Sequence, residues 1–174
     1  MHRKKKSGIG SAYKSGFKYA IVQDFDYIIT SDADFSHQPR YIPELIKNMG
    51  DHNGLIIGSR YVQGGRIDDW QRYRIGLSMI ANALVKKVLN MGINDSTSGF
   101  RSYNKRALNS IALDDVFSDG YAFQIEMAYR IRKNGFKISE VPIEFSGRKD
   151  GESKISQFEI IRALGMIIRL YVTK

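Results

Sequence analysis

Two carboxylates one residue apart, Asp32 and Asp34, close a short apolar run, Tyr27-Ile28-Ile29-Thr30-Ser31. A run of this length without polar alternation reads as a strand buried on both faces, as in parallel sheets covered by helices. In open α/β sheets ligands bind beyond the carboxyl ends of strands. Two carboxylates there suit a hard divalent cation, Mg2+ or Mn2+, which takes one or two protein carboxylates and fills its other positions with water and substrate phosphates. The same pair also suits a solvated turn that caps the next element. A second Asp-x-Asp, Asp24 and Asp26, precedes the run instead of following it. Position relative to the strand separates the two.

Other residues have types and spacings that suit phosphate. Leu55-Ile56-Ile57-Gly58 reads as a second buried strand that delivers Ser59 and Arg60 at its end. Ser78 follows Arg74 by four residues, one turn along the same helix face, so one anion can touch both. The stretch from Arg148 to Lys154 is basic and contains glycine, as a loop closing over phosphate would be. Near the start of a helix expected over Gly120–Lys133 stand Gln124 and Glu126; Glu126 is either a general base or, as the stronger reading, an acid favoured by the positive end of the helix. There is no cysteine, hence no thiolate chemistry, and no His-carboxylate dyad stands out. His37 reads as a loop residue or a weak metal neighbour.

Five motifs come in a fixed order: Asp32 to Glu44, Gly58-Ser59-Arg60-Tyr61, Thr97-Ser98-Gly99-Phe100-Arg101, Gly120 to Met127, and Gly151-Glu152-Ser153-Lys154. In that order they resemble the polyprenyl-phosphate mannose synthases of the dolichol-phosphate mannose synthase type, members of the family 2 glycosyltransferases. The resemblance implies a GT-A-like α/β fold, a mixed sheet flanked by helices in Rossmann-like fashion. It implies metal-dependent, inverting transfer of mannose from GDP-mannose to a polyprenyl (dolichyl) phosphate. The metal would sit on Asp34 with Asp32 nearby, the donor on Asp32, Asp34 and Gln124, and the acceptor phosphate on Arg60, Arg74, Ser78, Arg148 and Lys154. Asp32, Asp34, Arg60 and Arg74 form the catalytic set so implied.

The resemblance further implies the cytoplasmic face of a membrane, small membrane subunits as partners, and no nucleic acid. Two alternatives stand beside it: a polyprenyl-phosphate glucosyltransferase using UDP-glucose, and a truncated, inactive domain that binds membranes or a partner. The chain departs from the pattern at Ile75 and Met79, where many relatives carry further basic residues. The N-terminal strands that form most of the family's nucleotide-base pocket are also expected to be missing from these residues.

The elements that must position these groups follow from composition and periodicity. With 174 residues and 43% hydrophobic content, one globular domain over 1–174 with a real core is expected. Helical spacing is visible at Ala12, Tyr13, Gly16, Phe17 and Ala20, then after Pro43 at Ile42, Leu45, Ile46 and Met49. The segment from about Ile75 to Met91 places Met79, Ile80, Ala83, Leu84 and Val88 on one stripe, expected to face the core. Tyr61 to Asp69, with Gly64-Gly65, reads either as a flexible flap or as a plain surface loop. Asn94 to Arg101 is turn-rich, and its Asp95, Ser98 and Gly99 suit a loop lining the donor site. Ile138 to Phe145 alternates as a strand, and Pro142 assigns it to a sheet edge.

The net charge of +9 sits at the two ends. Residues 1–20 carry six Lys or Arg and no acid, and residues 148–174 carry six against three acids. Such ends suit anionic membranes, nucleic acid or phosphorylated substrates, or simply solubility; no nucleic-acid module accompanies them. A capping-box pattern, Ser156-Gln157-Phe158-Glu159, opens a C-terminal helix within 156–174. It is apolar on nearly every face apart from Arg162 and Arg169, which suits either the core or the bilayer interface. No stretch reaches the ~18 apolar residues that span a bilayer.

Overall fold

The computed structural model describes residue 5 and residues 7–50, 52–146 and 157–172. Its centre is a four-stranded mixed sheet in the order β1 (Tyr27–Thr30), β4 (Arg101–Asn104), β2 (Asn53–Ser59), β5 (Lys137–Pro142). β4 runs antiparallel to both β1 and β2, while β2 and β5 are parallel. β1, β2 and β5 therefore all end on the same side, where the expected site residues lie. The expectation that β1 is buried on both faces is corrected: among the described residues it pairs only with antiparallel β4, at one edge of the sheet, and is half-buried there.

Helices cover both faces. α1 (Ile9–Ile21), α4 (Lys105–Asn109), α5 (Gly120–Lys133) and α6 (Gln157–Val172) pack on one side, and the short α2 (Ile42–Lys47) on the other. Along β2 the side chains of Leu55 and Ile57 enter the larger core and Ile56 the smaller one. This is why the run carries no polar alternation, since a strand covered on both faces needs none. Phe17 of α1 meets Tyr103 of β4 edge-on at 4.9 Å and is almost fully buried; truncating it to Ala would cost about 3–5 kcal/mol. Its neighbour Tyr13 stacks on Phe123 of α5 at 5.2 Å.

α3 (Arg72–Val88) reverses the expected orientation. It buries Asn82 and Val85, whereas Met79, Ile80 and Leu84 are exposed. At 100° per residue Arg74, Ser78, Asn82 and Val85 share one side, and Tyr73, Leu77, Ile80 and Leu84 form a row on the other. The apolar row is thus a surface, and the polar row contains the face that meets the protein.

The segment Tyr61 to Asp69 is a built element. β3 (Arg66–Ile67) pairs in parallel with β6 (Glu144–Phe145), and the Arg66 and Asp68 N–H groups donate to Ile143 and Phe145 carbonyls at 3.1 and 2.9 Å. A Cβ at Gly65 would lie 2.7–2.9 Å from the main chain of Ser59 and Arg60, so the turn is packed directly on the end of β2. A freely moving flap does not describe it. The C-terminal helix forms where expected, with Met166, Ile167 and Leu170 buried and the Tyr129 hydroxyl donating to the Leu170 carbonyl at 3.2 Å.

Candidate active site

Beyond Thr30 the chain leaves β1 and turns sharply. The Asp34 carboxylate accepts from the Ser36 N–H at 3.1 Å and the Ser36 hydroxyl at 2.5 Å, an Asx-type turn. Phe35, between them, has φ 60° and is 78% exposed, a left-handed conformation that bulky residues rarely adopt. The turn sends His37 inward. Its Nδ1 accepts from the Asp32 N–H at 3.1 Å, and its ring stacks on Phe100 at 5.0 Å. With Nδ1 an acceptor, the neutral ring carries its proton on Nε2.

Burial holds the His37 imidazole below its ordinary value, opposed by the charge of Asp32 and reinforced by that of Arg60; Asp34 and Asp95 also act on it. His37 is therefore a pin for the Asp32–Asp34 turn, and one imidazole senses both the carboxylate pair and the Arg60–Asp95 pair. Phe145 is the physical link: His37 meets its ring at 5.5 Å and the Arg60 guanidinium carbon lies 5.3 Å from its centroid.

Arg60, at the end of β2, is only 8% exposed. Its Nε and Nη2 donate to the two Asp95 oxygens at 2.7 Å each, and Nη2 also donates to the Thr97 hydroxyl at 2.9 Å. Tyr61 and Trp70 stand 5.2 and 5.5 Å from the guanidinium carbon, within cation–π range. For Asp95, burial alone would push the carboxyl up, but the Arg60 charge and hydrogen bonds overcome it and hold it below 3.8. Asp95 is wholly buried, so the expectation that it lines a donor site is corrected: its ligand is Arg60.

The loop that carries Asp95 is tied from four elements. Asn94 and Asp95 N–H groups donate to Glu140 of β5, Ser96 bonds Asn82 of α3 through both N–H and hydroxyl, and the Ser98 hydroxyl donates to the Gly58 carbonyl at 2.7 Å. From β4, the fully buried Arg101 donates to the carbonyls of Ser96, Ser98 and Gln124 at 2.6–2.7 Å. Glu140 and Asn82 did not stand out in the sequence, and Arg101 did so only as the end of a motif, without a role. Their partners are largely main-chain groups, which leave no trace in residue types; the turn-rich composition of Asn94 to Arg101 was the signal that a structured loop stands here.

Gly99 sits against the carboxylate pair. A Cβ there would lie 3.2 Å from Asp32 Oδ1 and 3.4 Å from the Tyr13 hydroxyl. Burial pushes the Tyr13 phenol up to about 12, helped by Tyr103 and Asp32, so it stays a neutral hydroxyl. Tyr13, Thr30 and Ser31 also line a groove of about 400 Å³ that follows α1 and β1 away from the carboxylates. Asp32 is exposed and Asp34 half-buried. Two carboxylates, one exposed and one half-buried, fit a hard divalent cation that keeps water and phosphate ligands, although no group of three or more His, Cys, Asp or Glu side chains stands ready among the described residues.

The remaining expected residues divide. Arg74 and Ser78 lie together on α3, half-buried, with Arg74 Nε donating to the Tyr73 hydroxyl at 3.3 Å. Gln124 is buried, and its Oε1 accepts from the Tyr103 hydroxyl at 3.3 Å, behind Tyr13. Glu126 is fully buried, accepts from the Phe117 and Ser118 N–H groups and pairs with Arg130 at 2.7 Å; its role is structural, but its partners are an arginine and loop N–H groups instead of the first turn of the helix. Arg148 and Lys154 lie outside the described residues.

Comparison with known proteins places this arrangement. Residues 1–112 match the family model described as glycosyl transferase family 2. The polyprenol monophosphomannose synthase of Mycolicibacterium smegmatis is 40% identical over 164 residues, covering 94% of this chain and 62% of that protein. The undecaprenyl-phosphate mannosyltransferase of Micrococcus luteus is 38% identical over 156 residues, covering 90% and 64%. The chain thus spans under two thirds of the length of these relatives. Among solved structures, glucosyl-3-phosphoglycerate synthase from Mycobacterium tuberculosis, in complex with Mn2+, UDP and glucosyl-3-phosphoglycerate, superposes with a TM-score of 0.63 at 15% identity over 97% of this chain and 55% of its own. The same synthase with Mn2+ and UDP-glucose gives 0.61 at 16% identity, over 98% of this chain and 55% of its own. That likeness establishes the GT-A-like mixed sheet flanked by helices.

Proposed function

The chain belongs to glycosyl transferase family 2, and on that premise we propose that it is the catalytic part of an inverting transferase moving mannose from GDP-mannose to a polyprenyl phosphate at a membrane surface. The observation that carries this reading is the convergence of the carboxylate pair after β1 and the arginine after β2, joined through His37 and Phe145. The identity with two mannosyl-transferring relatives supports the sugar and the lipid class.

The chemistry asks little of acid–base residues. A bond forms between an acceptor phosphate oxygen and the sugar C1 while the bond from C1 to the donor diphosphate breaks. A phosphate monoester with a second pKa near ~6 is largely dianionic at neutral pH, so it attacks without a base. This agrees with a His37 held as a neutral pin. Asp34 and Asp32 are the residues that would hold a divalent cation, Mg2+ or Mn2+, which when bound would supply positive charge against the leaving diphosphate. Arg74 and Ser78, one turn apart on the protein-facing side of α3, grip the acceptor phosphate. Arg60 adds the part of its guanidinium that neither Asp95 nor Thr97 takes, and Asp95 fixes its plane.

The membrane part of the reading rests on the outer face of α3. Tyr73, Leu77, Ile80 and Leu84 are 61%, 59%, 69% and 40% exposed in one row, with Arg72 and Lys87 beside it. On α6, Ile168, Tyr171 and Val172 are exposed as well. Apolar rows edged by basic residues suit the headgroup boundary, and no helix among the described residues is long and apolar enough to cross a membrane. One helix then offers its inner face to the phosphate and its outer face to the lipid surface.

The test is to incubate the protein with labelled GDP-mannose, a polyprenyl phosphate in anionic vesicles and Mg2+ or Mn2+. Label appearing in a lipid phosphodiester supports the proposal. Transfer from UDP-glucose alone would replace the donor. Vesicle binding without transfer from either nucleotide sugar would leave a binding domain instead of an enzyme.

A further inference from the structure

We propose that Glu140 is a positioning residue for the acceptor end of the site, acting on Arg60 through the Asn94–Asp95 main chain. This rests on the reading of Arg60 as an acceptor-phosphate ligand. Glu140 stands on β5 opposite Ile57 of β2, three residues before Arg60 in the parallel strand. Its Oε2 accepts from the Asn94 N–H at 2.8 Å and from Asn94 Nδ2 at 2.9 Å, while Oε1 accepts from the Asp95 N–H at 2.9 Å. One carboxylate thus takes two successive main-chain donors and fixes the peptide between them.

The constraint passes on without slack. The Asp95 carboxylate accepts from the Arg60 N–H at 3.0 Å as well as from Nε and Nη2. Those three bonds settle the two torsions of the Asp95 side chain, so locking its main chain locks the plane of the guanidinium. Charge-assisted bonds of this kind are the strong ones. A Gln at 140 would keep one acceptor oxygen but present an NH2 group to a main-chain N–H, so one of the two anchors must open.

The experiment compares wild type, Arg60→Ala, Glu140→Gln and the double variant, with farnesyl phosphate in detergent micelles as the probe. Binding is followed by calorimetry, and the Arg60 Nε–H resonance by NMR. Arg60→Ala should weaken binding about ten- to a hundredfold and Glu140→Gln about threefold or more. The double variant should bind no worse than Arg60→Ala alone, because Glu140 acts only through Arg60. In Glu140→Gln the Arg60 Nε–H should exchange faster with water while GDP-mannose affinity stays at the wild-type level. Additive losses in the double variant, or an unchanged Arg60 Nε–H, would overturn the proposal. If Glu140→Gln does not fold, Glu140→Asp, which keeps the charge and shortens the reach, is read by the same criteria; if neither folds, Glu140 is a stability residue and the proposal fails. If Arg60→Ala binds farnesyl phosphate as wild type does, the acceptor role of Arg60 fails by itself, and the Nε–H exchange still decides whether Glu140 positions it.

Discussion

Asp95 grips Arg60 at both ends, accepting from its main-chain N–H at 3.0 Å and from two guanidinium nitrogens at 2.7 Å. A single carboxylate therefore fixes where β2 stops and how its last long side chain is oriented. Both groups are buried, so neither can turn to water when the other is removed.

Removing the acid should be costly. Asp95→Ala leaves a buried, unpaired guanidinium and is expected to lose about 3–5 kcal/mol, seen as a lower denaturant midpoint with an unchanged slope. The pair also sets an acid limit. Because Arg60 holds the Asp95 carboxyl below 3.8 against burial, the unfolded chain takes up the proton first as pH falls. The stabilisation is full above about pH 4 and is lost as pH drops through the folded value. Melts between pH 5 and pH 2 should show wild type losing stability faster than Asp95→Asn; parallel curves would remove the pair from the acid response.

Gly99→Ala tests the space before the carboxylates. Its new methyl group would press on Asp32 Oδ1 and the Tyr13 hydroxyl. Metal-dependent nucleotide binding should drop several-fold while the melting temperature moves little, since both neighbours can yield by a few tenths of an ångström. Unchanged binding would show that Asp32 has room to spare.

Asp34→Asn keeps the side-chain shape and an acceptor oxygen for Ser36 but removes the charge. The variant should fold as wild type, with nucleotide binding no longer enhanced by added Mg2+ or Mn2+. Equal enhancement in both proteins would remove Asp34 from the metal site.

Arg74→Ala should raise the polyprenyl phosphate concentration needed for half-maximal transfer about ten- to a hundredfold, with the GDP-mannose requirement and the melting temperature nearly constant. An equal rise for both substrates would reassign Arg74 to the donor diphosphate.

Leu77→Glu with Ile80→Glu places two acids in the exposed row of α3. Sedimentation with anionic vesicles should fall sharply, while wild-type binding weakens at high salt without vanishing, since salt screens the basic residues but leaves apolar burial intact. Vesicle binding unaffected by the two acids would move the docking face elsewhere.

Much of the fold was legible because its signals are local. The uninterrupted apolar run at 55–58 announced a strand covered on both sides, and α5 forms over the expected Gly120–Lys133. β4 escaped notice since Arg-Ser-Tyr-Asn looks like surface. Its arginine is buried only because three carbonyls from two other segments converge on it. The apolar row of α3 was assigned to the core for the opposite reason, as periodicity reports that one face is apolar and not what covers it. In the site, the carboxylate pair could be read from its place after a strand. Asp95 and Glu140 could not, because their meaning lies in which main-chain donors the fold brings to them.

Trp70 is the only tryptophan of the chain, and it stands 5.6 Å from Phe145 and 5.5 Å from the Arg60 guanidinium. The tryptophan emission of this chain therefore originates beside the residue that couples the carboxylate turn to the arginine. Any event that shifts Arg60 or Phe145 must alter the polarity around that one indole. The molecule thus carries its own fluorophore at the junction of the carboxylate turn and the arginine, and spectral shifts can report changes at that junction without an attached label.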